Sequence, residues 1–201
     1  MESVPVRTLG RVVVALGASV DITVRWHGAD LDRLIDSAHA QLVQEAVSLL
    51  ASAGWEARVE VSFNHYGDRG RVDVLGLHRP TGTLLVVEVK TAIGDLQETL
   101  GRLDVKARLG RVLASTVAWP SPSCTVPALV VAQSRATRRI VAAHDALFAR
   151  FDLRGRQAGA WVRRPGFGHQ PTGLLWFANV SRAPGEGARR SSRVRVTQKG
   201  R

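Results

Sequence analysis

The chain has 201 residues, 45% of them apolar and 22% charged, which is the composition of a folded globular domain and not of a disordered segment. No apolar run approaches the roughly 20 residues of a membrane-spanning helix, and no signal peptide is predicted because the short apolar run near the start lacks a following cleavage pattern. The single cysteine, Cys124, excludes an internal disulfide and fits the reducing cytoplasm, where we expect the protein.

Charge is the strongest feature of the composition. Lysine and arginine number 28 against 17 aspartates and glutamates, a formal net charge of +11. This excess favours an anionic partner, first of all nucleic acid, because phosphate neutralisation drives such binding. A GC-rich genome, which raises the arginine content of its proteins, explains the same numbers if much of the excess lies on the solvated surface. Part of the excess also lies in the run RRSSRVRVTQKGR, and residues 183–201 have the composition of a disordered tail. Charge alone leaves both interpretations open.

The amino-terminal part predicts a short extension followed by a long helix. Residues 8–17 have the pattern of a short helix and SVDITVRW that of a strand, so we expect residues 1–27 to form an extension. The next helix begins near Asp30, whose side chain can cap it, and ends at Gly54. Its apolar residues fall on one stripe: Leu31, Leu34, Ile35, Ala38, Leu42, Ala46, Leu49, Leu50 and Ala53.

The rest of the chain predicts a three-layer α/β domain over residues 28–182. Three strands joined by short links predict an antiparallel meander, and a continuously apolar run predicts a strand buried on both faces. The expected order is helix, three-stranded meander, helix, strand, helix, and then a last strand. After the first helix the predicted elements are strands at 56–63, 71–77 and 84–90, a helix at 95–109, a strand at 127–133, a helix at 136–151 and a strand at 174–180.

Two of these strands carry charged residues in otherwise apolar runs. Alternate side chains of a strand share a face, so Glu88 and Lys90 point the same way along LLVVEVK, and Asp73 shares a face with two leucines of RVDVLGL. If the hairpin is symmetric about Pro80–Thr81, residues whose numbers sum to 161 are opposite each other. Asp73 then faces Glu88 at about 5 Å between Cβ atoms. A glycine bulge at Gly82 would shift this register by one residue.

Two opposed carboxylates with an ammonium group nearby predict a divalent-cation site. Mg²⁺ prefers oxygen ligands, usually one or two carboxylates completed by water and substrate phosphate. Such an ion would polarise a phosphate and activate water, while Lys90 orients that water or stabilises developing charge. A cross-strand salt bridge, in which Lys90 neutralises Asp73 and Glu88, accounts for the same residues, and both interpretations stay open.

Two further polar residues lie close to this constellation in the predicted fold. Glu45 lies at the edge of the buried stripe of the long helix, where a carboxylate must be paired, protonated or bound to metal unless it bends out to solvent. Gln97 lies off the apolar face of the helix that follows Lys90. It either contacts phosphate or the water shell of the metal, or is a surface glutamine.

These residues together resemble the PD-(D/E)xK nuclease superfamily. The likeness consists of Asp73, then Glu88-Val89-Lys90 fifteen residues on in a strand, with Glu45 on the preceding helix. The restriction endonuclease-like core of that superfamily has the order predicted above. Over most of residues 8–180 the chain is more closely similar to the nuclease-like C-terminal regions of actinobacterial Xre-type helix-turn-helix regulators. The segments concerned are WHGADLDRLIDSAHAQLV, GDRGRVDVLGLHRPTGTLLVVEVKT and DLQETLGRLDVKARL.

The resemblance implies a Mg²⁺-dependent deoxyribonuclease, with Mn²⁺ able to substitute. Asp73, Glu88 and the Val89 carbonyl would bind the metal. Lys90 would be the catalytic lysine. Glu45 would match the acid on the preceding helix, and Gln97 resembles the glutamine that some members place on the next helix.

The chain departs from the family in two places. Val72 stands where many members have proline, which weakens only the literal motif. The regulators begin with a DNA-binding helical bundle, and residues 8–17 resemble only its last helix. A non-catalytic DNA- or protein-binding module that keeps the nuclease-like fold is therefore the alternative function. The oligomeric state is not fixed by the sequence, and a homodimer stays open.

Overall fold

The structure, a computed structural model, describes residues 29–166 and 168–180 together with residues 8, 12, 15 and 16, and its description of side chains in the first helix begins at residue 36. Two compact units divide the chain, residues 1–35 and residues 36–201. The predicted strand SVDITVRW, the tail over 183–201 and six of the ten residues of the predicted helix at 8–17 lie outside the described residues. Within the described part, no helix is long and apolar enough to cross a membrane.

The second unit is built on a six-stranded mixed sheet flanked by helices. In chain order the elements are α1 (Ala29–Ser52), β1 (Glu56–His65), β2 (Asp68–His78), a 3₁₀ turn (Arg79–Thr81), β3 (Thr83–Lys90), α2 (Leu96–Arg108), α3 (Gly110–Thr116), β4 (Cys124–Ala132), α4 (Arg135–Ala143), α5 (Asp145–Phe148), β5 (Leu153–Arg154), α6 (Arg156–Arg163) and β6 (Leu174–Ala178). The strand order is β1-β2-β3-β4-β6-β5, with β1, β2 and β3 antiparallel and the remaining pairs parallel. The predicted α/β class and order of elements are confirmed, and α3, β5 and α6 are additions that were not predicted.

Each face of the sheet carries its own apolar core. Leu84 and Val86 of β3 point to one side, where α2, α3, α4 and α5 pack, and we call this side the α2 face. Leu85 and Val87 point to the other side, where α1 and α6 pack, and we call this side the α1 face. All four side chains are fully buried, as the alternation of a central strand requires.

The link between β1 and β2 is shorter than predicted. Most of the expected loop at 64–70 is paired strand, and the turn itself consists of Tyr66 and Gly67, with φ of 46° and 89°. Two successive residues with positive φ make the tight turn whose twist matches that of the flanking strands. Gly70 belongs to the ladder, where the Phe63 ring lies 3.0 Å from the position a Cβ would take.

The predicted helix at 136–151 is divided into α4 and α5 by His144. The Leu147 N–H donates to the His144 carbonyl at 2.9 Å, a bond that tightens the chain into a new turn. The break places Phe148 and Phe151 in the core of the α2 face, where they are 0% and 1% exposed. Burial of two aromatic rings outweighs the continuity of one helix.

The register predicted for the β2–β3 hairpin is confirmed over five paired positions. Leu75 lies opposite Val86, Leu77 opposite Leu84, and the ladder runs from His78 back to Val74. Gly82 has a left-handed conformation with φ of 65° and closes the turn without shifting the register.

Candidate functional site

The β1–β2 ribbon changes face at the residue that the motif singles out. Val74 packs in the core of the α1 face, whereas Val72 packs in that of the α2 face. Residues two apart in a regular strand share a face, so the ribbon turns over between them, at Asp73. Glu60, which the register places opposite, has φ of 54°. A positive φ at a residue other than glycine is uncommon, and residues strained in this way cluster at active sites and ligand-binding sites.

This turnover separates Asp73 from the ladder that was expected to pair it with Glu88. The last paired residues are Val74 and Val87, so Asp73 is not a directly opposed cross-strand partner. Its Oδ2 instead accepts a hydrogen bond from the Val89 N–H at 2.7 Å. The carboxylate thus fills the opening left where β2 diverges from β3.

The Asp73 carboxylate lies in an unfavourable electrostatic environment. Its side chain is only 17% exposed, and Oδ1 faces Nε2 of His39, on α1, at 3.8 Å. Burial and the nearby charge of Glu88 raise the pKa of Asp73 above its ordinary value, against the opposing effect of the Val89 N–H. A group of this kind is stabilised by any cation that comes between the two carboxylates.

Glu88 is almost fully buried and is held by two lysines. Its side chain is 4% exposed, and Oε1 lies 2.8 Å from Nζ of Lys90. Its Oε2 accepts a hydrogen bond from Nζ of Lys106, on α2. Burial would raise the pKa of Glu88, but the two ammonium groups outweigh burial and hold the pKa below its ordinary value. Glu88 is therefore ionised at neutral pH, within a buried charge cluster on the α2 face.

Lys106 is the member of this cluster that sequence reasoning missed. Its side chain is 9% exposed, an uncommon position for lysine unless a carboxylate pairs with it. It lies three residues after Leu103 and seven after Thr99, both buried on the face of α2 that packs on the sheet. The sequence signal for a buried lysine was therefore its position in phase with the apolar stripe of the helix. That signal does not identify Glu88 as its partner, because only the tertiary fold brings the two residues together.

The structure does not bring the two accessory candidates to the carboxylates. Glu45 is exposed and lines a separate cleft, and Gln97 is an exposed residue of α2. Among the described residues, no group of three or more His, Cys, Asp and Glu side chains is arranged to hold a metal ion. The carboxylate ligands at this site are thus limited to Asp73 and Glu88, and the Val89 carbonyl directly follows Glu88 in sequence.

The donor set fits Mg²⁺ on one condition. Two carboxylates are the number that a Mg²⁺ site commonly uses, the remainder being water and substrate oxygen. Oδ1 of Asp73 is free to turn to a cation, since His39 is beyond hydrogen-bond distance. Both oxygens of Glu88, however, contact ammonium groups, so an ion would have to take the place of at least one lysine contact.

A cleft of about 360 Å³ gives solvent access beside Lys106. It lies between α2 and the ribbon of β1 and β2. Its charged lining is mostly basic, with Arg69, Arg71 and Arg102 beside Lys106 and a single acid, Asp68. An anionic ligand is the type of molecule that such a lining attracts.

Comparisons with known proteins identify no family. No protein-family model matches the chain, and no curated protein matches its sequence. A repair endonuclease from Pyrococcus abyssi is similar in structure, with a TM-score of 0.37, 11% identity, and coverage of 79% of this chain and 50% of that one. A protein of unknown function gives a TM-score of 0.32 at 13% identity, covering 53% of this chain and 54% of that one. The chain thus spans about half the length of each structure. Likeness at this level is confined to a mixed α/β architecture.

Proposed function

We propose that the protein is a metal-dependent phosphodiesterase of the PD-(D/E)xK type that cleaves DNA. The observation that carries this proposal is the pair of carboxylates, the largely buried Asp73 and the buried Glu88, beside the ammonium group of Lys90 at the point where the β1–β2 ribbon turns over. Asp73, Glu88 and the Val89 carbonyl would hold Mg²⁺ or Mn²⁺. When bound, the ion would supply Lewis-acid polarisation of the scissile phosphate.

The protein side chains have separate tasks in this proposal. Lys90 is 34% exposed, so it is the member of the cluster that reaches a solvent-borne substrate while it contacts Glu88. Its ammonium group would orient the attacking water and stabilise negative charge that develops on the phosphate. Lys106 is too buried to meet a substrate directly and would position Glu88. The Val89 N–H fixes the rotamer of Asp73 before substrate arrives.

DNA is proposed as the substrate because of charge. The net charge of +11 and the basic cleft beside Lys106 both favour a polyanion. The resemblance of Asp73, Glu88 and Lys90 to the PD-(D/E)xK motif supports phosphodiester hydrolysis as the reaction. We therefore expect hydrolysis of phosphodiester bonds in DNA.

The test is cleavage of supercoiled plasmid in the presence of Mg²⁺ or Mn²⁺. Wild-type protein should nick or linearise the plasmid, and Asp73→Asn and Lys90→Met should each lower the rate about 100-fold or more, the usual loss when one charge-stabilising group is removed. Asp104→Asn is the matched control, because Asp104 is an exposed acid whose ion pair with Arg150 lies outside the cluster. Wild-type cleavage no faster than that of the two site variants would refute the proposal.

A second function is favoured by one specific observation. Because both oxygens of Glu88 are contacted by lysines, the cluster is complete without metal, as in a domain that keeps the fold but only binds DNA or protein. Calorimetric titration with Mn²⁺ separates the two functions. An absence of metal binding, together with DNA binding that weakens steeply with salt, would favour the non-catalytic function.

A further inference from the structure

A second, larger cleft opens at the carboxyl ends of β4 and β6. Its volume is about 1070 Å³, and α1 and α6 contribute to its walls. Among the described residues that line it, four are arginines and one is acidic, Glu45. The arginines are Arg138, Arg154, Arg156 and Arg163. The lining therefore has a marked excess of positive charge, in a concave surface that concentrates the electrostatic field.

Three of the four guanidinium groups are held in place by neighbours. Arg138 lies over the Phe177 ring at 4.8 Å. Arg163 donates from Nη1 to the Gly159 carbonyl at 3.1 Å. Arg154 donates from Nε to the Phe151 carbonyl at 3.0 Å and also pairs with Asp145. Each guanidinium has five N–H donors, so these contacts fix the planes and leave donors for a ligand.

The fourth arginine completes the arrangement. Arg156 is exposed at the first position of α6 and lines the same cleft as Arg154. Preorganised guanidinium groups lose less side-chain entropy on binding than free ones, and they match phosphate oxygens in pairs. Phosphate is therefore the chemical group that this cleft is best suited to bind.

The cleft lies at the same end of the parallel strands as the candidate site. Its walls from α1 and α6 are on the α1 face, whereas Phe177 packs on the α2 face, which is also the face of Glu88 and Lys106. Lys90 is paired with Val131 of β4, and Val131 is paired with Phe177 of β6. Two strand spacings separate Lys90 from Phe177, or about 10 Å at about 4.8 Å each. A nucleic-acid strand advances about 3.4 Å per nucleotide along a duplex, so a few nucleotides span this distance. Ligands of open α/β sheets bind at this carboxyl end.

The features of the lining favour a strand backbone over a small nucleotide. The volume is at the upper limit of the roughly 300–1,000 Å³ of small-molecule pockets. Phe177 is covered by Arg138, and Trp176 is only 6% exposed, so neither ring is open to stack on a base. Contacts would therefore go to phosphates and carry no sequence information.

We propose that this arginine-lined cleft binds the phosphodiester backbone of a nucleic-acid strand that continues from the Asp73 and Glu88 site, without regard to base sequence. The identity of the ligand as the substrate strand rests on the proposed function. The binding itself does not, because the cleft shares no residue with the carboxylate cluster.

The test is equilibrium binding of a fluorescein-labelled single-stranded oligonucleotide in EDTA, where no metal-dependent cleavage occurs. The variant is the double substitution Arg138→Gln and Arg156→Gln. The control is the double substitution Arg58→Gln and Arg111→Gln, which removes two positive charges from residues outside the cleft. The pairs match, because Arg58 lies over the Trp119 ring at 5.5 Å and Arg111 is an exposed residue in the first turn of α3.

The expected result is a change in salt dependence that only the cleft variant shows. Loss of two phosphate contacts lowers the slope of log K against log salt by about 1.4, since each contributes about 0.7 on a single strand. The affinity of the cleft variant at low salt should fall about tenfold or more, and the fall should be the same for oligonucleotides of different sequence. The control should keep the wild-type slope.

Three results would overturn the proposal. One is an equal loss of oligonucleotide affinity in the cleft variant and the control variant, which would mean that binding depends only on net charge. Another is unchanged binding by the cleft variant. The third is a cleft variant that loses binding of inorganic pyrophosphate but keeps the oligonucleotide, which would make the cleft a small-anion site. A wild-type protein that binds through the cleft but never cleaves plasmid would refute the phosphodiesterase alone.

Discussion

Replacement of Lys106 by methionine isolates the energetics of the buried cluster. Methionine keeps most of the length and apolar surface of the lysine stem but removes the ammonium group that donates to Oε2 of Glu88. Glu88, at 4% exposure, would keep only the contact with Lys90 at 2.8 Å. Removal of one partner of a buried ion pair leaves the other charge incompletely compensated.

The expected cost is about 3 kcal/mol in the free energy of unfolding. Removing one partner of a buried pair costs about 3–5 kcal/mol, and the low end applies because Lys90 still neutralises part of the charge. The pKa of Glu88 should rise, since Lys106 is the first of the two ammonium groups that lower it. One contact that competes with metal for Glu88 is also lost, so Mn²⁺ should raise the melting temperature of the variant more than that of the wild type.

The assay is urea unfolding followed by circular dichroism on a double-mutant cycle. It compares wild type, Lys106→Met, Glu88→Gln and the double variant. We expect a coupling energy of about 2 kcal/mol, within the range for residues in direct contact. Arg102→Met is the control, because its exposed pair with Glu98 should contribute only about 0.3–0.5 kcal/mol. If Lys106→Met costs as much in the Glu88→Gln background as in the wild type, the Lys106 ammonium group does not stabilise the protein through Glu88.

Three further predictions follow from particular residues. Asp73→Asn should stabilise the protein at pH 7 by about 0.5–1 kcal/mol while it lowers the cleavage rate about 100-fold or more, because burial and Glu88 raise the pKa of Asp73 and so penalise its charged form; a lower melting temperature would contradict this. Asp152→Asn should lower the free energy of unfolding by about 1 kcal/mol at pH 7, a value reduced because the side chain is partly exposed. Burial would raise the pKa of Asp152, but hydrogen bonds from His169, Thr172 and the Gly173 amide outweigh burial and hold this pKa below its ordinary value of 3.8. The stability lost by the variant should therefore disappear as pH falls through this lowered pKa. A loss that stays the same down to acid pH would show that it does not come from the Asp152 charge. Gly110→Ala should destabilise the protein by about 1–3 kcal/mol, because an added Cβ would overlap Oγ1 of Thr125 and lie 2.9 Å from its Cγ2. Gly101→Ala, with open space around it in α2, should stabilise the protein by about 0.5–1 kcal/mol. Equal changes in melting temperature for the two variants would contradict the packing at Gly110.

Periodicity and turn chemistry predicted the fold well where local signals decide structure. The stripe that includes Leu42 and Ala46 defined the long helix, and the symmetric turn around Pro80–Thr81 set the register that the β2–β3 ladder shows. The continuously apolar run in β4 indicated a strand covered on both faces, as observed. These signals act between neighbours in sequence or across one hairpin, so pattern alone resolves them.

The finer arrangement of the candidate site depends on contacts that sequence pattern does not encode. Nothing in the residue types at Glu60 and Asp73 signals that the ribbon turns over there, so perfect alternation wrongly placed Asp73 in the ladder. The pairing of Lys106 with Glu88 joins residues eighteen positions apart on different elements. Glu45 was placed by helical phase alone, and the docking of α1 turns it to another cleft.

The most direct test of a metal-dependent site is a crystal structure of the protein grown or soaked with Mn²⁺. We expect one anomalous peak about 2.1 Å from carboxylate oxygens of both Asp73 and Glu88. We also expect Lys106 or Lys90 to withdraw from the Glu88 oxygen that binds the ion. A crystal fully exposed to Mn²⁺ that shows no peak between the carboxylates, and in which both lysines still contact Glu88, would refute a metal site here.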